Sequence, residues 1–350
     1  MDTLQDVVNR LPRGKGSPLK APARTPAAQP GSLRLALAVA SMRQHMTDEG
    51  WQIMDGLRHA GYTLAGYGLP LPETNVQNLL REMRPATVLM QDKREWDVQP
   101  GNFRDGNAKF KKVWCLAERP EIFKLTIVKD AHHNPGYHAQ SAADIGCHAW
   151  VTYYATPVVT HLAPYIRPHH VVRTYHTLDP ACVPPYTPHG RVGCLLSGAV
   201  SAAYPLRIRL VNGLDKLPDT FLLRHPGYHR RGCATPEFLQ MLSRFKVAIC
   251  TASVFGYALR KIMEATACGC VVVTDLPQDE VLPEIDGNLV RVPHGSSVEY
   301  VAGVVRRLSD DYVPERQAHY AKLALARYDY RVETARLADC IEQMRLTYGA

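Results

Sequence analysis

Apolar positions in this chain come in short blocks with the length of β-strands, and the stretches between them carry the period of an amphipathic helix. The first block is Leu33-Arg34-Leu35-Ala36-Leu37-Ala38-Val39-Ala40. After a polar turn, residues 48–59 place Trp51, Met54 and Leu57 on one helical face, and Gly61 suits the C-cap. Residues 62–67 resume as a strand, 75–83 as a second helix stopped by Arg84-Pro85, and Thr87-Val88-Leu89-Met90 as a third strand. Residues 122–128 supply a further strand that ends at Lys129-Asp130. Strand–helix–strand–helix–strand is the order of a doubly wound parallel sheet.

The alternation stops between Pro157 and Pro188, where a high proline density, including the doublet Pro184-Pro185, predicts a linker or domain crossing. It then restarts, with strands at 192–197, 220–224, 247–251 and 271–274 and helices at 204–213, 235–243 and 258–267. A terminal helical region covers 297–346. Two such patterns joined by a proline-rich seam predict an α/β protein of two facing Rossmann-like domains. The first spans residues 32–180, the second 190–330, and residues 331–350 form a closing helix. Ahead of them, Pro12, Pro18, Pro22, Pro26 and Pro30 interrupt any helix. That segment carries Arg10, Arg13, Lys15, Lys20 and Arg24 against Asp2 and Asp6, so residues 1–31 predict a disordered basic arm.

Composition narrows the class. The 350 residues are 46% hydrophobic and 21% charged, which excludes wholesale disorder, collagen-like repeats and a coiled coil. No stretch approaches the ~18 uninterrupted apolar residues of a membrane-spanning helix, and the N-terminus has no signal-peptide apolar core. Nine cysteines, an odd number with no CxxC pair, read as free thiols in a reducing cytoplasm. The doublets His132-His133 and His169-His170 belong to no HExxH or Cys/His frame, so no metal site is predicted. A formal charge of +8 admits an anionic partner: DNA, RNA, an acidic glycan or a nucleotide.

The chemistry concentrates in residues 255–275. Gly256 is expected to open a helix whose first turn bears Arg260 and Lys261, so that free N–H groups, the helix dipole and two cations converge as a diphosphate site. Glu264 lies one turn deeper on the face of Arg260, where a carboxylate accepts the two hydroxyls of a ribose. Gly269 then turns the chain into an apolar strand. The same spacing also fits a plain amphipathic helix with a surface Arg260–Glu264 pair, and spacing alone does not choose between them.

The segment resembles the donor-binding signature of glycosyltransferases with the two-domain GT-B fold. It is most similar to the group 1 branch that includes the CgeB-type spore-maturation proteins, with viral relatives, in which an Arg precedes a "FEA-ACG" element. Asp275-Leu276-Pro277, Leu282-Pro283, Asp286-Gly287 and Tyr328-Asp329-Tyr330-Arg331 fit the same pattern. Leu195-Leu196-Ser197-Gly198-Ala199, Tyr204-Pro205-Leu206-Arg207 and His225-Pro226-Gly227-Tyr228 resemble its upstream parts. The likeness covers residues 190–335, and the N-terminal half matches in architecture. It implies a nucleoside-diphosphate-sugar donor, UDP-sugar first among them, metal-independent chemistry, and donor contacts from Arg207, Gly256, Tyr257, Arg260, Lys261 and Glu264. Many retaining members carry a second glutamate eight residues before the position of Glu264. Here that position is Gly256, so retention is not implied.

Departure of a nucleoside diphosphate needs cations, and Arg207, Arg260 and Lys261 are the candidates. Activation of the acceptor hydroxyl needs a base at the carboxyl ends of the first domain's strands. Asp92, Asp130 and His132, with His133 beside it, stand there, although a helix cap or solvated loop also accounts for Asp92, and ordinary loop polarity for the histidines. His176 and Asp179 fall at the predicted crossing, where they touch the donor sugar or shape the turn. Lys109, Lys111 and Lys112 beside Phe103 and Phe110 suggest a phosphate track, and surface lysines also serve solubility. A DNA acceptor such as a hydroxymethylated pyrimidine joins these features, with the target base extruded into the cleft. The alternatives are a glycan or small-molecule acceptor, or a non-catalytic binding module on the same scaffold.

Overall fold

Among the described residues, ten short strands, each parallel to its neighbours, sort into two five-stranded sheets in the computed structural model. The structure describes residues 36–38, 49–62, 80–81, 84–91, 116–128, 132, 135–154, 164, 170–225 and 235–348. The arm at 1–31, and most of both the strand expected at 62–67 and the helix expected at 75–83, lie outside the described residues.

The first sheet holds β1 (Ala36–Ala38), β2 (Thr87–Gln91), β3 (Phe123–Val128), β4 (Ala149–Thr152) and β5 (Val171–Arg173), side by side in that order. The second holds β6 (Val192–Gly198), β7 (Thr220–Arg224), β8 (Phe245–Ile249), β9 (Val271–Thr274) and β10 (Leu289–Arg291), in the order β10-β9-β8-β6-β7. Parallel sheets are covered on both faces, which is why every residue of β3 and β9 is buried and why these strands read as continuous apolar runs. The expected pair of Rossmann-like α/β domains is present.

Four elements are missing from the sequence reading: helix α2 (Pro135–Asp144) and β4, in a stretch given no element, β5, which lies inside the supposed linker, and β10. Strands of three or four residues are too short to display a period. The helix expected from residue 258 begins two residues later. The terminal helical region is three helices, α6 (Val298–Asp310), α7 (Pro314–Tyr328) and α8 (Tyr330–Tyr348), broken by Pro314 and by the extended Asp329.

Between the sheets the chain crosses at residues 174–179 and again at 328–330, and the two crossings are bonded together. Leu178 N–H donates to Tyr328 O (2.7 Å) and Tyr330 N–H donates to Leu178 O (2.9 Å). Glu333, fully buried, accepts from Thr174 Oγ1 (2.9 Å), Tyr175 N–H (3.0 Å), Arg327 Nη1 (2.6 Å) and Arg336. Two of those guanidiniums, with Arg173, also face the ring of Tyr175. Helix α8 occupies most of the segment expected as the closing helix. It lies against α1 (Glu49–His59), with Tyr330 Oη donating to Asp55 (2.9 Å) and Tyr62 Oη to Ala338 O (3.1 Å). Gly56 permits this approach, since a methyl there would collide with Thr334. The last helix in sequence thus belongs to the layer that covers the first sheet.

No described helix is long and apolar enough to cross a membrane, and the seven described cysteines are free thiols.

Replacing Glu333 by Ala leaves two half-buried guanidiniums, the Thr174 hydroxyl and a backbone N–H without their shared acceptor, a loss worth about 1–3 kcal/mol. Urea denaturation measures it, and a loss below about 1 kcal/mol would show that the crossings do not depend on this carboxylate.

Candidate functional site

Strand β6 ends at Gly198, in a backbone conformation (φ +120°) that L side chains rarely adopt. An added methyl would collide with the ammonium of Lys261 and stand 2.6 Å from Nη1 of Arg207. Two cations from different helices therefore meet over one backbone position. Arg207 comes from α3 (Pro205–Asn212), whose first turn is set by Pro205, and Lys261 from α5 (Arg260–Ala267). Both helices follow strands that flank the point where the second sheet reverses its order, β6 running to β7 on one side and lying against β8 on the other. Ligands of open α/β sheets bind at such a point, beyond the carboxyl ends of the strands.

The guanidinium of Arg207 is 2% exposed. It donates to Ala199 O (2.7 Å) and Thr251 O (3.2 Å) and lies over the ring of Tyr204 (4.0 Å). The Lys261 ammonium is 3.5 Å from Ser197 Oγ and faces Phe238 of α4 (Thr235–Leu242) at 5.9 Å. Burial, and then the charge of Arg207, push the Lys261 pKa down to about 8, against which the field of Glu264 is the weaker influence. His225, one residue past β7, is held below its ordinary value by burial, Lys261 and Arg207 in that order. Positive charge held in a poorly solvated place by other positive charge is complementary to an anion.

The helix that carries Lys261 starts at Arg260, with Leu259 at the N-cap, and not at Gly256. Gly256 lies in the preceding loop at φ +68°, its N–H bonded to Ser253 O (2.9 Å). Arg260 and Lys261 then diverge. Lys261 reaches Gly198, whereas Arg260 pairs with Glu264 at 3.2 Å. Both members of that pair are 7% exposed, so it is an interior pair and not the surface pair that the helical spacing also allowed.

The loop after β8 is pinned from behind. Buried Asp275, just past β9, accepts from Ala252 N–H (2.6 Å), and its other oxygen lies 2.7 Å from His294 Nδ1. Farther along, Tyr257 points to the first domain. Its ring stacks on Tyr154 (4.0 Å, 5°), and its hydroxyl is 3.0 Å from His132 Nδ1. His132 in turn stacks on Phe255 (3.6 Å, 20°). The carboxyl edge of the first sheet thus touches the loop that precedes α5, and predicted residues from the two domains meet directly.

Of the crossing residues, His176 is buried and stacks on Tyr153 (4.8 Å). Asp179 accepts from Ala181 N–H (3.0 Å) and shapes the turn. Asp92, Asp130, His133, Lys109, Lys111 and Lys112 lie outside the described residues. Among the described residues no three His, Cys, Asp or Glu side chains gather as a metal site. The sequence reading named neither Gly198 nor His225 as a site residue. A glycine that ends an apolar strand just before a basic helix was the available signal for the first.

No protein-family model matches the chain, and no curated protein sequence matches it. Solved structures do. The Anabaena protein HepE in complex with UDP and glucose superimposes with a TM-score of 0.58 at 10% identity, over 89% of this chain and 100% of its own. A glycosyltransferase from Rickettsia africae gives 0.58 at 10% identity over 89% and 99%. The lipopolysaccharide outer core galactosyltransferase WaaB gives 0.56 at 11% identity over 89% and 99%. These likenesses establish the fold, two facing Rossmann-like domains of the GT-B kind.

Lys261 has a definite stability signature. Its folded pKa of about 8 lies below the ordinary lysine value of 10.5. Below pH 8 both states are protonated and the folded state bears the full burial penalty; between the two values the unfolded chain binds more protons, so stability rises with pH. Lys261→Met should therefore stabilise the protein at pH 7 by about 3 kcal/mol, with the gain gone by about pH 10. Urea titrations at the two pH values measure it, and a gain that is absent or independent of pH contradicts the buried charge.

Proposed function

We propose that this protein is a glycosyltransferase that moves a sugar, a hexose first among the options, from a nucleoside-diphosphate donor to an acceptor hydroxyl. The observation that carries the reading is the meeting of Arg207 and Lys261 over Gly198 at the switch point of the second sheet. The resemblance of residues 255–275 to the CgeB-type branch supports it, and HepE, with the same fold, was solved with UDP and glucose. UDP-glucose is accordingly the first donor to test.

On this reading the diphosphate lies over Gly198, where the absent side chain lets its oxygens approach the backbone. Arg207 and Lys261 take up the charge that develops as the sugar–phosphate bond breaks, which is the work a divalent cation does elsewhere. Because both groups are already fixed and poorly solvated, little reorganisation opposes that stabilisation. Glu264 receives the ribose hydroxyls while Arg260 holds its carboxylate in place, so Arg260 acts as a positioning residue. Gly256 gives the loop before α5 its turn, and Tyr257 ties that loop to the first domain. The acceptor enters from the first domain, where His132, Asp92 and Asp130 are the candidates to accept the hydroxyl proton.

For the acceptor we favour a hydroxyl borne on a polyanion, a hydroxymethylated pyrimidine in DNA. The support is the charge of +8, part of which resides in the first 31 residues. Duplex binding through phosphates should weaken with salt at a log–log slope of about −0.9 per contacted phosphate, and removal of residues 1–31 should flatten that slope. Failure to bind DNA at low salt removes this acceptor in favour of a glycan or small molecule and leaves the donor reading intact.

Calorimetric titration with UDP tests the donor site. Arg207→Gln and Lys261→Met should each weaken binding by roughly ten- to a hundredfold, the worth of one charge-assisted hydrogen bond. Slow release of UDP from UDP-glucose distinguishes an enzyme from a binding module. If UDP does not bind, or if both variants bind it like the parent, the site is assigned wrongly.

A further inference from the structure

We propose that His225 is a third basic group of the Gly198 site, and that an anion seated there is bound together with a proton. This rests on the donor reading above and adds its pH dependence. Sheet register gives the position: Gly198 of β6 is the partner of Arg224 of β7, so His225 is the first residue beyond the sheet on the strand beside Gly198. The ring is partly buried and feels the charges of both Lys261 and Arg207.

The surroundings of this pair of titrating groups are predominantly cationic. From β6 comes the hydroxyl of Ser197, from α3 the guanidinium of Arg207, and from β7 the exposed side chain of Arg224. From α4 comes the ring of Phe238, and from just past β8 Cys250, whose thiol burial pushes up to about 12 and so keeps neutral. Glu264 on α5 is the carboxylate whose field supports the charge on Lys261. In that field a neutral imidazole on His225 and a partly deprotonated Lys261 relieve repulsion. A diphosphate reverses the field, raises both pKa values, and draws a proton from solvent onto the imidazole nitrogen or the amine. No bond within the anion is made or broken.

Two probes separate this proposal from the donor reading: UDP-glucose, whose diphosphate does not titrate near neutrality, and sulfate, whose charge is constant. Calorimetry in buffers of different ionisation enthalpy, from about pH 6 to about pH 9, reads net proton uptake and affinity, with a limit of tenfold per pH unit per proton. The expected result is net uptake with UDP-glucose and an affinity that falls as pH rises. His225→Gln should bind like the parent at the alkaline end and lose the gain at the acidic end. Lys261→Arg, which holds its charge throughout, should flatten the alkaline limb. Binding of UDP-glucose by the parent without proton uptake overturns the proposal and leaves the donor reading standing. So does a His225→Gln variant that keeps the full pH slope. If sulfate binds with proton uptake while UDP-glucose does not bind at all, the donor reading falls and the proton-linked anion site stands.

Discussion

A guanidinium and an ammonium of like charge stand over a single glycine at the end of β6, and the carboxyl edge of the second sheet is arranged to hold them there. Repulsion at short range in a poorly solvated site is worth several kcal/mol, so the arrangement persists only because its surroundings fix it. Arg207 is tied to the carbonyls of Ala199 and Thr251. Thr251 belongs to a loop held by Asp275 through the N–H of Ala252, and Asp275 is engaged in turn by His294. Gly198 supplies the space, at a backbone angle that any other residue would strain. Charge stored at such a place lowers the stability of the fold, and an anion in the site offsets that penalty.

The second constraint is mechanical. Both passages between the sheets are joined by backbone hydrogen bonds at Leu178 and clamped by the carboxylate of Glu333. Helix α8 then returns to cover α1, so the end of the chain is anchored on the domain that began it. The carboxyl edges of the two sheets meet elsewhere through stacked rings, Tyr154 on Tyr257 and His132 on Phe255. A group on the first domain is thereby placed within reach of the loop that leads to Lys261. The proposed transfer between two substrates, one from each side, would require that proximity.

Much of this was legible in the sequence, and the reasons are specific. Buried parallel strands such as β3 and β9 appear as unbroken apolar runs, so the two-sheet architecture followed from pattern alone. The short β4 and β5 carried no readable period, and the proline-rich segment hid β5 altogether. Lys261 was legible from its place near the start of a helix after a strand, and Arg207 from the resemblance of residues 204–207. Their convergence was not, because two residues 54 positions apart meet only through the order of β6 and β8. Arg260 looked equivalent to its neighbour, yet a rotation of about 100° per residue turns it to Glu264 and away from Gly198. Tyr257, a donor contact by resemblance, stacks on Tyr154 of the first domain and lies beside both His132 and Phe255.

A crystal structure of the protein soaked with UDP tests the central claim most directly. The account predicts diphosphate density over Gly198, with oxygens within hydrogen-bond distance of Lys261 Nζ and of the Arg207 guanidinium, and the ribose toward Glu264. UDP bound elsewhere on the chain, or a diphosphate that leaves both cations untouched, would contradict it.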